Sequence, residues 1–289
     1  MTVARVRTDT LSEVWFHTGT ACNLECPFCL EASRPGDARL ERMTLADVRP
    51  YIEEARALGV RQFSFTGGEP LIVKDIVKIL TCALAAAPCL VVTNATAPLI
   101  RRVHQLDQLK SQPHAIAFRI SIDHPDADRH DAGRGWGNFR RALDGLALLH
   151  QRGFSVSVVR QAAAGEDAPA VATAFRSIFA KAGLPADLRV LALPDYGLPG
   201  QPPASVAVSD AALAERRSHG SQAPLMCGRS KMLIKRNGAV RVYACPLVDD
   251  VEDFDQGATL TEALARDASL KHARCQTCVR TGASWSALP

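Results

Sequence analysis

Short apolar or β-branched runs alternate with helix-like patterns from Glu13 to about Pro199. Several of the short runs are nearly continuous, which is typical of parallel strands that are buried on both faces. They predict six strands, at Val14–Thr18, Gln62–Thr66, Leu90–Thr93, Ala115–Ile122, Phe154–Val159 and Leu188–Leu193. Six strand–helix units are too few for a closed eight-stranded barrel. The pattern therefore predicts an α/β fold, a partial (β/α)6 TIM-like barrel that is open on one side.

Helical periodicity fills the gaps between these strands. One helix is expected from about Asp47 to Gly59, on the condition that Pro50 falls within its first turn. Another carries Phe139 and the leucines after it at helical spacing and ends at Gly153. The regular alternation of strand and helix supports the barrel.

The composition changes after the barrel pattern. Residues 201–224 are rich in Pro, Ala and Ser, with one short helical patch at Ala211–Arg217, and predict a linker or lid without core. Asn237-Gly238 then separates two strand-like runs, which is a strong hairpin signal. We therefore expect a barrel (1–200), a linker or lid (201–224) and a small α+β module (225–289).

Charge and cysteine content narrow the class of protein. The net charge of +4 over 289 residues, without a Lys/Arg-rich run, favours no nucleic-acid partner. The most apolar stretch, Ile79 to Val92, is too short to span a bilayer and is broken by Pro88, and no signal peptide is apparent, so we expect no membrane association. Nine cysteines without an export signal indicate metal ligation in a reducing cytoplasm. The sequence does not indicate the oligomeric state.

Polar groups follow the predicted strands at their carboxyl ends, where parallel βα folds bind ligands. They are the Cys22–Cys29 loop, the turn Gly67-Gly68-Glu69-Pro70, Asn94, Ser121 with Asp123, and Arg160. Cys22-x3-Cys26-x2-Cys29 supplies three thiolates, one fewer than a 4Fe–4S cluster normally takes, so one iron would stay open to a ligand. A zinc site or three structural cysteines are the alternatives.

The cysteine spacing, with Phe65-Thr66-Gly67-Gly68-Glu69-Pro70 about forty residues later, resembles the radical S-adenosylmethionine (radical SAM) superfamily. The resemblance implies the same partial barrel, with a 4Fe–4S cluster on Cys22, Cys26 and Cys29 that binds S-adenosylmethionine. It also implies that Phe28 lies against the adenine, that Gly67 and Gly68 let backbone approach the ligand, and that Glu69 accepts from its ammonium group. Asn94 is assigned to the same cofactor site.

The stretch from Ser121 through Arg134 to Phe139 resembles the SPASM/twitch type of these enzymes, although His124 replaces the usual glycine. The resemblance implies that Ser121 binds the ribose, and that Arg134 or Arg160 binds the methionine carboxylate.

Four further cysteines, Cys227-x17-Cys245 and Cys275-x2-Cys278, supply a complete ligand set. On spacing alone a zinc ribbon competes. Behind a radical SAM barrel, the set resembles a twitch module with one auxiliary 4Fe–4S cluster, and it is similar to the arrangement in 2-deoxy-scyllo-inosamine dehydrogenases. The usual glycine before the second ligand is displaced, since Gly238 stands seven residues before Cys245.

The resemblance implies cleavage of S-adenosylmethionine to a 5′-deoxyadenosyl radical that abstracts a substrate hydrogen, with a flavodoxin- or ferredoxin-type electron donor. The closed four-cysteine set favours net oxidation of a small metabolite. Radical modification of a ribosomal peptide, redox-neutral epimerisation or dehydration, and a metal-stabilised binding protein stay open. A peptide-binding domain is disfavoured, because only about a dozen residues precede the first strand. Arg160, Asp195 and Tyr196 are candidate substrate contacts, the catalytic residues are unassigned, and Cys82 or Cys89 could quench a radical only if they faced the cavity.

Overall fold

The computed structural model describes residues 2–198, 207–218, 225–282 and 285–286. Its strands are β1 (Arg5–Val6), β2 (Glu13–His17), β3 (Gln62–Thr66), β4 (Cys89–Thr93), β5 (Ile116–Ser121), β6 (Ser155–Gln161), β7 (Val190–Leu193), β8 (Ser230–Arg236), β9 (Ala239–Tyr243) and β10 (Ala268–Ser269). Its α-helices are α1 (Leu45–Ala57), α2 (Ile76–Leu84), α3 (Ala97–Leu106), α4 (Ala127–Arg134), α5 (Asn138–Gln151), α6 (Ala168–Lys181), α7 (Asp210–Ser218), α8 (Leu260–Leu264) and α9 (Ala273–Thr281). Short 3-10 helices lie at Pro70–Ile72, Asp107–Ser111, Met226–Gly228 and Glu252–Phe254.

The main sheet has the strand order β7-β6-β5-β4-β3-β2-β8-β9. Strands β2 to β7 are all parallel, and each overlaps one of the six predicted runs. The largest boundary differences are two residues, at the end of β6 and at the start of β7. The prediction of a partial (β/α)6 barrel is confirmed.

The predicted hairpin is present and continues the barrel sheet. β8 and β9 pair antiparallel, and Asn237 and Gly238 both have positive φ, as the tight turn requires. β8 also pairs in parallel with β2, with Trp15 opposite Met232. The C-terminal hairpin is therefore an edge of the barrel sheet rather than a separate body.

The first residues of the chain pack on the C-terminal region. β1 pairs antiparallel with β10, and the backbone N–H of Ala4 donates to Val208 at 2.9 Å. Val208 and Leu213 of the 207–218 segment are buried. This part of the expected linker therefore contributes to the core, whereas residues 201–206 and 219–224 lie outside the described ranges.

Helix α1 begins with a capping box, in which Thr44 and Asp47 satisfy each other's backbone N–H groups. The condition set for Pro50 is wrong, because the helix begins at Leu45 and Pro50 lies in its second turn. Pro50 and Ala46 are both exposed, so water can reach the Ala46 carbonyl that lacks a helical N–H partner.

The barrel strands separate an outer core under the helices from an inner core. In β2, Val14 and Phe16 belong to the outer core, whereas Trp15 belongs to the inner one. Phe16 stacks on Phe65 at 5.2 Å between ring centroids. Burial of each such side chain contributes about 1.5–3 kcal/mol. The inner core is continuous with the C-terminal module through Met232. None of the described helices has the length and apolar character that a membrane crossing requires.

Candidate functional site

A cavity of about 1120 Å³, including its solvent-open part, lies at the carboxyl ends of the barrel strands. The side chains predicted for the first cluster and its ligand gather there. The residues that line the cavity include Cys22, Cys26, Phe28, Cys29, Gly67, Gly68, Asn94, Ser121, Asp123, Arg134 and Arg160. Glu69 and the four C-terminal cysteines are not among its lining residues. We call this cavity the mouth.

The three thiols of the first motif are half-buried. Backbone hydrogen bonds within the cysteine loop fix its conformation. The N–H of Cys22 donates to the Arg34 carbonyl at 3.2 Å, and that of Cys29 donates to Cys26 at 3.1 Å. Burial raises the pKa of Cys22 to about 12, so its thiolate needs a cationic ligand such as iron to persist at neutral pH.

Donors are already aimed at this sulfur. The N–H of Leu24 lies 3.4 Å from Cys22 Sγ, and Asn94 Nδ2 lies 3.9 Å from it. Burial also raises the pKa of Cys26, which the Arg134 charge lowers in part. Thiols that face one cavity with donors and a cation around them fit a cluster with one open iron.

The two glycines after β3 serve a purpose that the sequence did not indicate. A Cβ at Gly67 would lie 2.7 Å from the Gly19 carbonyl oxygen, and one at Gly68 would lie 2.6 Å from the Ala21 carbonyl carbon. The N–H of Gly68 donates to Gly19 at 2.9 Å. The glycines therefore let the turn pack against the backbone that leads into Cys22, in addition to lining the mouth.

Glu69 is buried and bonded on both carboxylate oxygens. Oε1 accepts from the N–H of Leu71 at 3.0 Å and from the Thr93 hydroxyl at 2.8 Å, and Oε2 accepts from the N–H of Asn94 at 2.8 Å. Burial raises the pKa of Glu69, and these hydrogen bonds counteract it. In this geometry Glu69 fixes the end of β4. Both of its carboxylate oxygens accept hydrogen bonds from the protein, and Glu69 does not line the mouth, so the geometry does not show the predicted contact with a ligand ammonium group.

Arg134 joins the aromatic residue of the cysteine loop to the end of β5. Its guanidinium forms a two-point ion pair with Asp123, and its Cζ lies 5.5 Å from the centre of the Phe28 ring. Burial lowers the pKa of Arg134, but the Asp123 carboxylate outweighs it and raises the net value. The Phe28 ring also lies against Gly133, where a Cβ would overlap it. Gly133 was not singled out in the sequence.

Arg160 also lines the mouth, and like Arg134 it is already paired with a carboxylate. Its Nη1 donates to Glu166 at 2.7 Å, Nη2 pairs with the same carboxylate, and Nε donates to the Asp123 carbonyl at 3.2 Å. Of the two arginines considered for the methionine carboxylate, Arg134 is the one beside Phe28 and the cysteines. Ser121 lies at the end of β5 and lines the mouth, and its ribose contact stays a prediction.

The four C-terminal cysteines line a second cavity of about 350 Å³. Cys227 lies before β8, Cys245 lies after β9, and Cys275 and Cys278 lie on α9, and all four are buried. Burial raises the pKa of Cys227 to about 12. We call this the auxiliary cavity.

The positions of the cysteine sulfurs can be compared with those that a zinc ion requires. Four thiolates on one zinc ion at about 2.3 Å would lie roughly 3.8 Å apart. In the described chain, which contains all the cysteines, no three cysteine sulfurs lie within 4.8 Å of one another. The described cysteine sulfurs are therefore not gathered at the spacing of a mononuclear zinc site.

Two residues line both cavities, Leu247 and Arg274. Arg274 Nη2 donates to the Leu30 carbonyl at 2.9 Å and to Gly197 at 3.2 Å, and Nη1 donates to Leu247. This buried arginine therefore ties the cysteine loop, the end of the barrel and the C-terminal module together. Nothing in its sequence context, one residue before Cys275, indicated this.

Other sequence candidates lie away from the mouth. Asp195 is exposed, and Tyr196 is buried near Cys245 and Cys278. Cys82 and Cys89 pack with the outer core and do not line the mouth. The positions of Cys82 and Cys89 do not support a role in quenching a substrate radical, and those of Asp195 and Tyr196 do not support substrate contacts in the mouth.

His17, the last residue of β2, is fully buried and joins two segments. Its Nε2 lies 2.9 Å from Glu31 Oε2 on the cysteine loop, and Asp249 of the C-terminal module lies close by. Arg39 donates to Asp249 at 2.8 Å. Two carboxylates thus face one arginine and one histidine. Burial alone would lower the pKa of His17, but the Glu31 carboxylate outweighs burial and the net pKa is raised. The group acts as a buried ionic link.

Comparison with known proteins agrees with this geometry. Residues 16–162, half of the chain, match the radical SAM superfamily. The chain belongs to the radical SAM superfamily. The radical SAM fold implies a 4Fe–4S cluster and S-adenosylmethionine, and the residues that line the mouth fit both.

Relatives within the radical SAM superfamily have varied activities. The chain is 30% identical over 141 residues to a GTP 3′,8-cyclase of Geobacter sulfurreducens, covering 46% of this chain and 40% of the relative. It is 29% identical over 146 residues to the mycofactocin maturase MftC of Mycolicibacterium smegmatis, covering 49% and 36%. The matched region thus spans about two-fifths of these relatives.

Solved radical SAM structures share the fold over most of the chain. Streptococcus suis SuiB bound to S-adenosylmethionine superposes with a TM-score of 0.64 at 14% identity, covering 91% of this chain and 67% of SuiB. Native anSMEcpe with bound AdoMet gives a TM-score of 0.64 at 14% identity, covering 92% and 82%. At this identity the likeness concerns the fold alone.

Proposed function

We propose that this protein is a radical SAM enzyme that oxidises a small metabolite. Cys22, Cys26 and Cys29 would hold the first cluster, and Arg134, Phe28 and Ser121 would orient S-adenosylmethionine beside it. When bound, the cluster and S-adenosylmethionine together supply one-electron cleavage of a sulfonium C–S bond and so a radical that abstracts hydrogen. The residues of the mouth orient the reactants and limit the access of water.

The four cysteines of the auxiliary cavity support an oxidative outcome. With four thiolates, a 4Fe–4S cluster has no open iron, and the chemistry that it would supply is acceptance of one electron. The balance is then complete: the substrate gives one hydrogen atom to the 5′-deoxyadenosyl radical, one proton to a base and one electron to the cluster. A C–H/O–H or C–H/N–H unit becomes a double bond.

The observation that carries this proposal is the shared wall. Leu247 and Arg274 line both the mouth and the auxiliary cavity, so the two cavities share part of their wall. Neighbouring cavities suit direct electron transfer from a substrate in the mouth to the proposed second cluster. The first electron, for the sulfonium, would come from a flavodoxin- or ferredoxin-type protein.

The lining of the mouth suits a small substrate that carries both apolar and oxygen-bearing groups. Aliphatic residues and Trp15 form its inner part, and Trp285 lies there too, with its carbonyl accepting from the buried Arg119. Both indole N–H groups are buried, and neither has a hydrogen-bond partner within the described part of the chain. They offer donors to a substrate that carries oxygen acceptors.

The test is anaerobic reconstitution of the full chain followed by incubation with S-adenosylmethionine and dithionite. We expect about eight irons per chain and formation of 5′-deoxyadenosine. Cys26→Ala should abolish 5′-deoxyadenosine. Cys275→Ala with Cys278→Ala should remove about four irons and leave cleavage of S-adenosylmethionine in place. A wild-type protein with only four irons would remove the electron-acceptor role, and a colourless, zinc-loaded protein without cleavage would favour the metal-stabilised binding protein.

Radical modification of a peptide is the second candidate. It is favoured by the similarity to the mycofactocin maturase and to SuiB, which was solved bound to its precursor peptide SuiA. Deuterium transfer into 5′-deoxyadenosine from a labelled peptide, and not from labelled small alcohols or amines, would decide for this candidate. Transfer that is reversible, with no net oxidation, would indicate the redox-neutral alternatives.

A further inference from the structure

Arg119 is a buried charge inside the barrel. It lies on β5 between Phe118 and Ile120 of the outer core, so the alternation of the strand turns Arg119 to the inner side. Its hydrogen bonds within the described chain go to two neutral oxygens, from Nε to the Ser157 hydroxyl at 3.3 Å and from Nη1 to the Trp285 carbonyl. No described carboxylate forms an ion pair with it. A hydrocarbon side chain would cost less at this buried position, which points to the carbonyl of Trp285 as the reason for the guanidinium.

Trp285 reaches Arg119 from the other side of the barrel. Its backbone N–H lies 3.5 Å from the Sδ of Met226, which precedes β8. In the sheet, β4, β3 and β2 lie between β5 and β8, and four strand spacings of about 4.8 Å make roughly 19 Å along the sheet. One residue can contact both sides only because the sheet curves around it. Trp285 therefore lies across the interior of the partial barrel.

The side chain of Trp285 forms part of the wall of the mouth. It is half-buried, lines the mouth and packs against the inner core, as does Leu30 of the cysteine loop. Leu191 of β7 packs against the same core. Trp285 follows α9 and belongs to none of the barrel strands. One bulky side chain, anchored through its own backbone, thus limits the volume that the mouth leaves for a substrate.

We propose that Trp285 limits the size of the substrate by closing the mouth across the barrel, and that Arg119 positions it there. This inference rests on the proposed function. It restricts the substrate to a compact molecule and excludes a chain of several linked units while Trp285 is in place. Trp285 is a specificity-determining residue. Arg119 does not line the mouth and acts through Trp285, so it is a positioning residue.

The test uses the full-length reconstituted enzyme with S-adenosylmethionine, dithionite and probes of increasing size. Glycerol, glucose and maltotriose, each deuterated on carbon and in large excess, all offer C–H/O–H units. Deuterium in 5′-deoxyadenosine reports which probe reached the radical. Trp285→Ala removes the indole, whereas Trp285→Phe keeps most of its bulk. Trp136→Ala is the matched control, because Trp136 is 89% exposed and does not line the mouth.

We expect the wild type to take far more deuterium from glycerol than from maltotriose. Trp285→Ala should raise transfer from maltotriose relative to glycerol by about tenfold or more, and Trp285→Phe and Trp136→Ala should keep the wild-type ratio. A loss of stability alone would lower transfer from every probe alike. If Trp285→Ala does not fold, Trp285→Leu is measured in its place.

Two results would overturn the size limit: an unchanged ratio in Trp285→Ala, or no transfer to this variant from any probe. A wild type that forms no 5′-deoxyadenosine would instead reject the proposed function, and the size limit with it.

The role of Arg119 has a readout that needs no turnover. Trp136→Phe removes the exposed emission, and acrylamide quenching of the remaining tryptophan fluorescence is then measured with and without Arg119→Met. A further Trp285→Phe identifies the part that belongs to Trp285. We expect Arg119→Met to increase the quenching of Trp285 and to raise the maltotriose ratio, and Arg119→Lys, which keeps a donor and replaces a variant that does not fold, to do so less. Unchanged quenching would overturn the positioning role of Arg119.

Discussion

Gly68 lies so close to Ala21 that a Cβ at Gly68 would sit 2.6 Å from the Ala21 carbonyl carbon and would overlap its oxygen. Both atoms belong to the backbone and cannot rotate away. The same turn donates from the N–H of Glu69 to the Ala21 carbonyl at 3.1 Å. The glycine turn can therefore pack this closely against the cysteine loop only because Gly68 has no Cβ.

Gly68→Ala should displace the loop that presents Cys22. Overpacking of this kind costs about 1–3 kcal/mol, and here the strain falls on the first cluster's ligand. We expect iron to fall from about eight to about four per chain, with loss of S-adenosylmethionine cleavage. Gly59→Ala is the control, because no atom lies within 4 Å of the Cβ position of Gly59, which precedes β3, whereas Gly68 follows that strand. Gly59 has a positive φ that Gly68 does not share, so this substitution strains the backbone without crowding the cysteine loop. Full iron content in Gly68→Ala would mean that the backbone adjusts and that the close packing is not needed.

Arg134→Lys should weaken binding of S-adenosylmethionine. Lysine keeps the charge but loses the planar fork that pairs with Asp123 and lies over Phe28. Loss of one charged hydrogen bond, about 1.5–3 kcal/mol, corresponds to roughly a 10- to 100-fold weaker affinity. Equilibrium dialysis on the reconstituted protein measures it, with Arg140→Lys as an exposed control. Equal affinities for the two variants would assign the carboxylate contact to another residue.

Arg274→Lys should loosen the junction between the barrel and the C-terminal module. A single ammonium group cannot reach the carbonyls of Leu30, Gly197 and Leu247 together, so at least one buried carbonyl loses its donor. The expected loss of stability is roughly 1–3 kcal/mol for each unsatisfied group. Denaturant midpoints measured without oxygen test this, and Arg280→Lys on the exposed side of the same helix should be neutral. A junction role is ruled out if both variants share the wild-type midpoint.

His130 should make stability depend on pH. Its Nδ1 accepts from the N–H of Asp123 at 3.2 Å and so carries no proton, and burial followed by the Arg134 charge lowers its pKa to about 4. Below pH 6.5 the unfolded chain binds a proton that the folded chain refuses. Stability should therefore fall as pH falls from 6.5 towards about 4, by at most about 3 kcal/mol.

His130→Asn is the matched variant for this experiment, because its side-chain oxygen can accept from Asp123 and has no proton to gain. The difference in unfolding free energy between wild type and His130→Asn should change with pH across that range, because only the wild type has the titrating imidazole. A parallel pair of pH profiles would show that folding does not shift the pKa of His130.

Local patterns were enough to predict the barrel strands. The run Gln62–Thr66 agrees residue for residue, because a buried parallel strand shows in its own composition. The hairpin at Asn237-Gly238 was predictable for a similar reason, since a two-residue turn with positive φ restricts its residues. The cysteines of the two motifs line two different cavities, and their roles as cluster ligands stay predictions.

Relationships between distant segments were not predictable in this way. No pattern in β8 indicates that it pairs with β2, about two hundred residues earlier. The role of Gly68 depends on Ala21. The complete burial of Lys231, a residue of β8, depends on the segments that pack over that strand. In each case the deciding neighbour comes from another part of the chain, so composition and spacing carry no trace of it.

The pairing of β8 with β2 has a consequence for the proposed electron transfer. Cys22 follows the end of β2, whereas Cys227 precedes the start of β8, so the two cysteine motifs are anchored toward opposite ends of adjacent strands. A shared ladder of backbone hydrogen bonds joins those strands. If the two motifs hold clusters as proposed, electron transfer from a substrate in the mouth to the auxiliary cavity would need no hinge movement, and its rate would be insensitive to solvent viscosity.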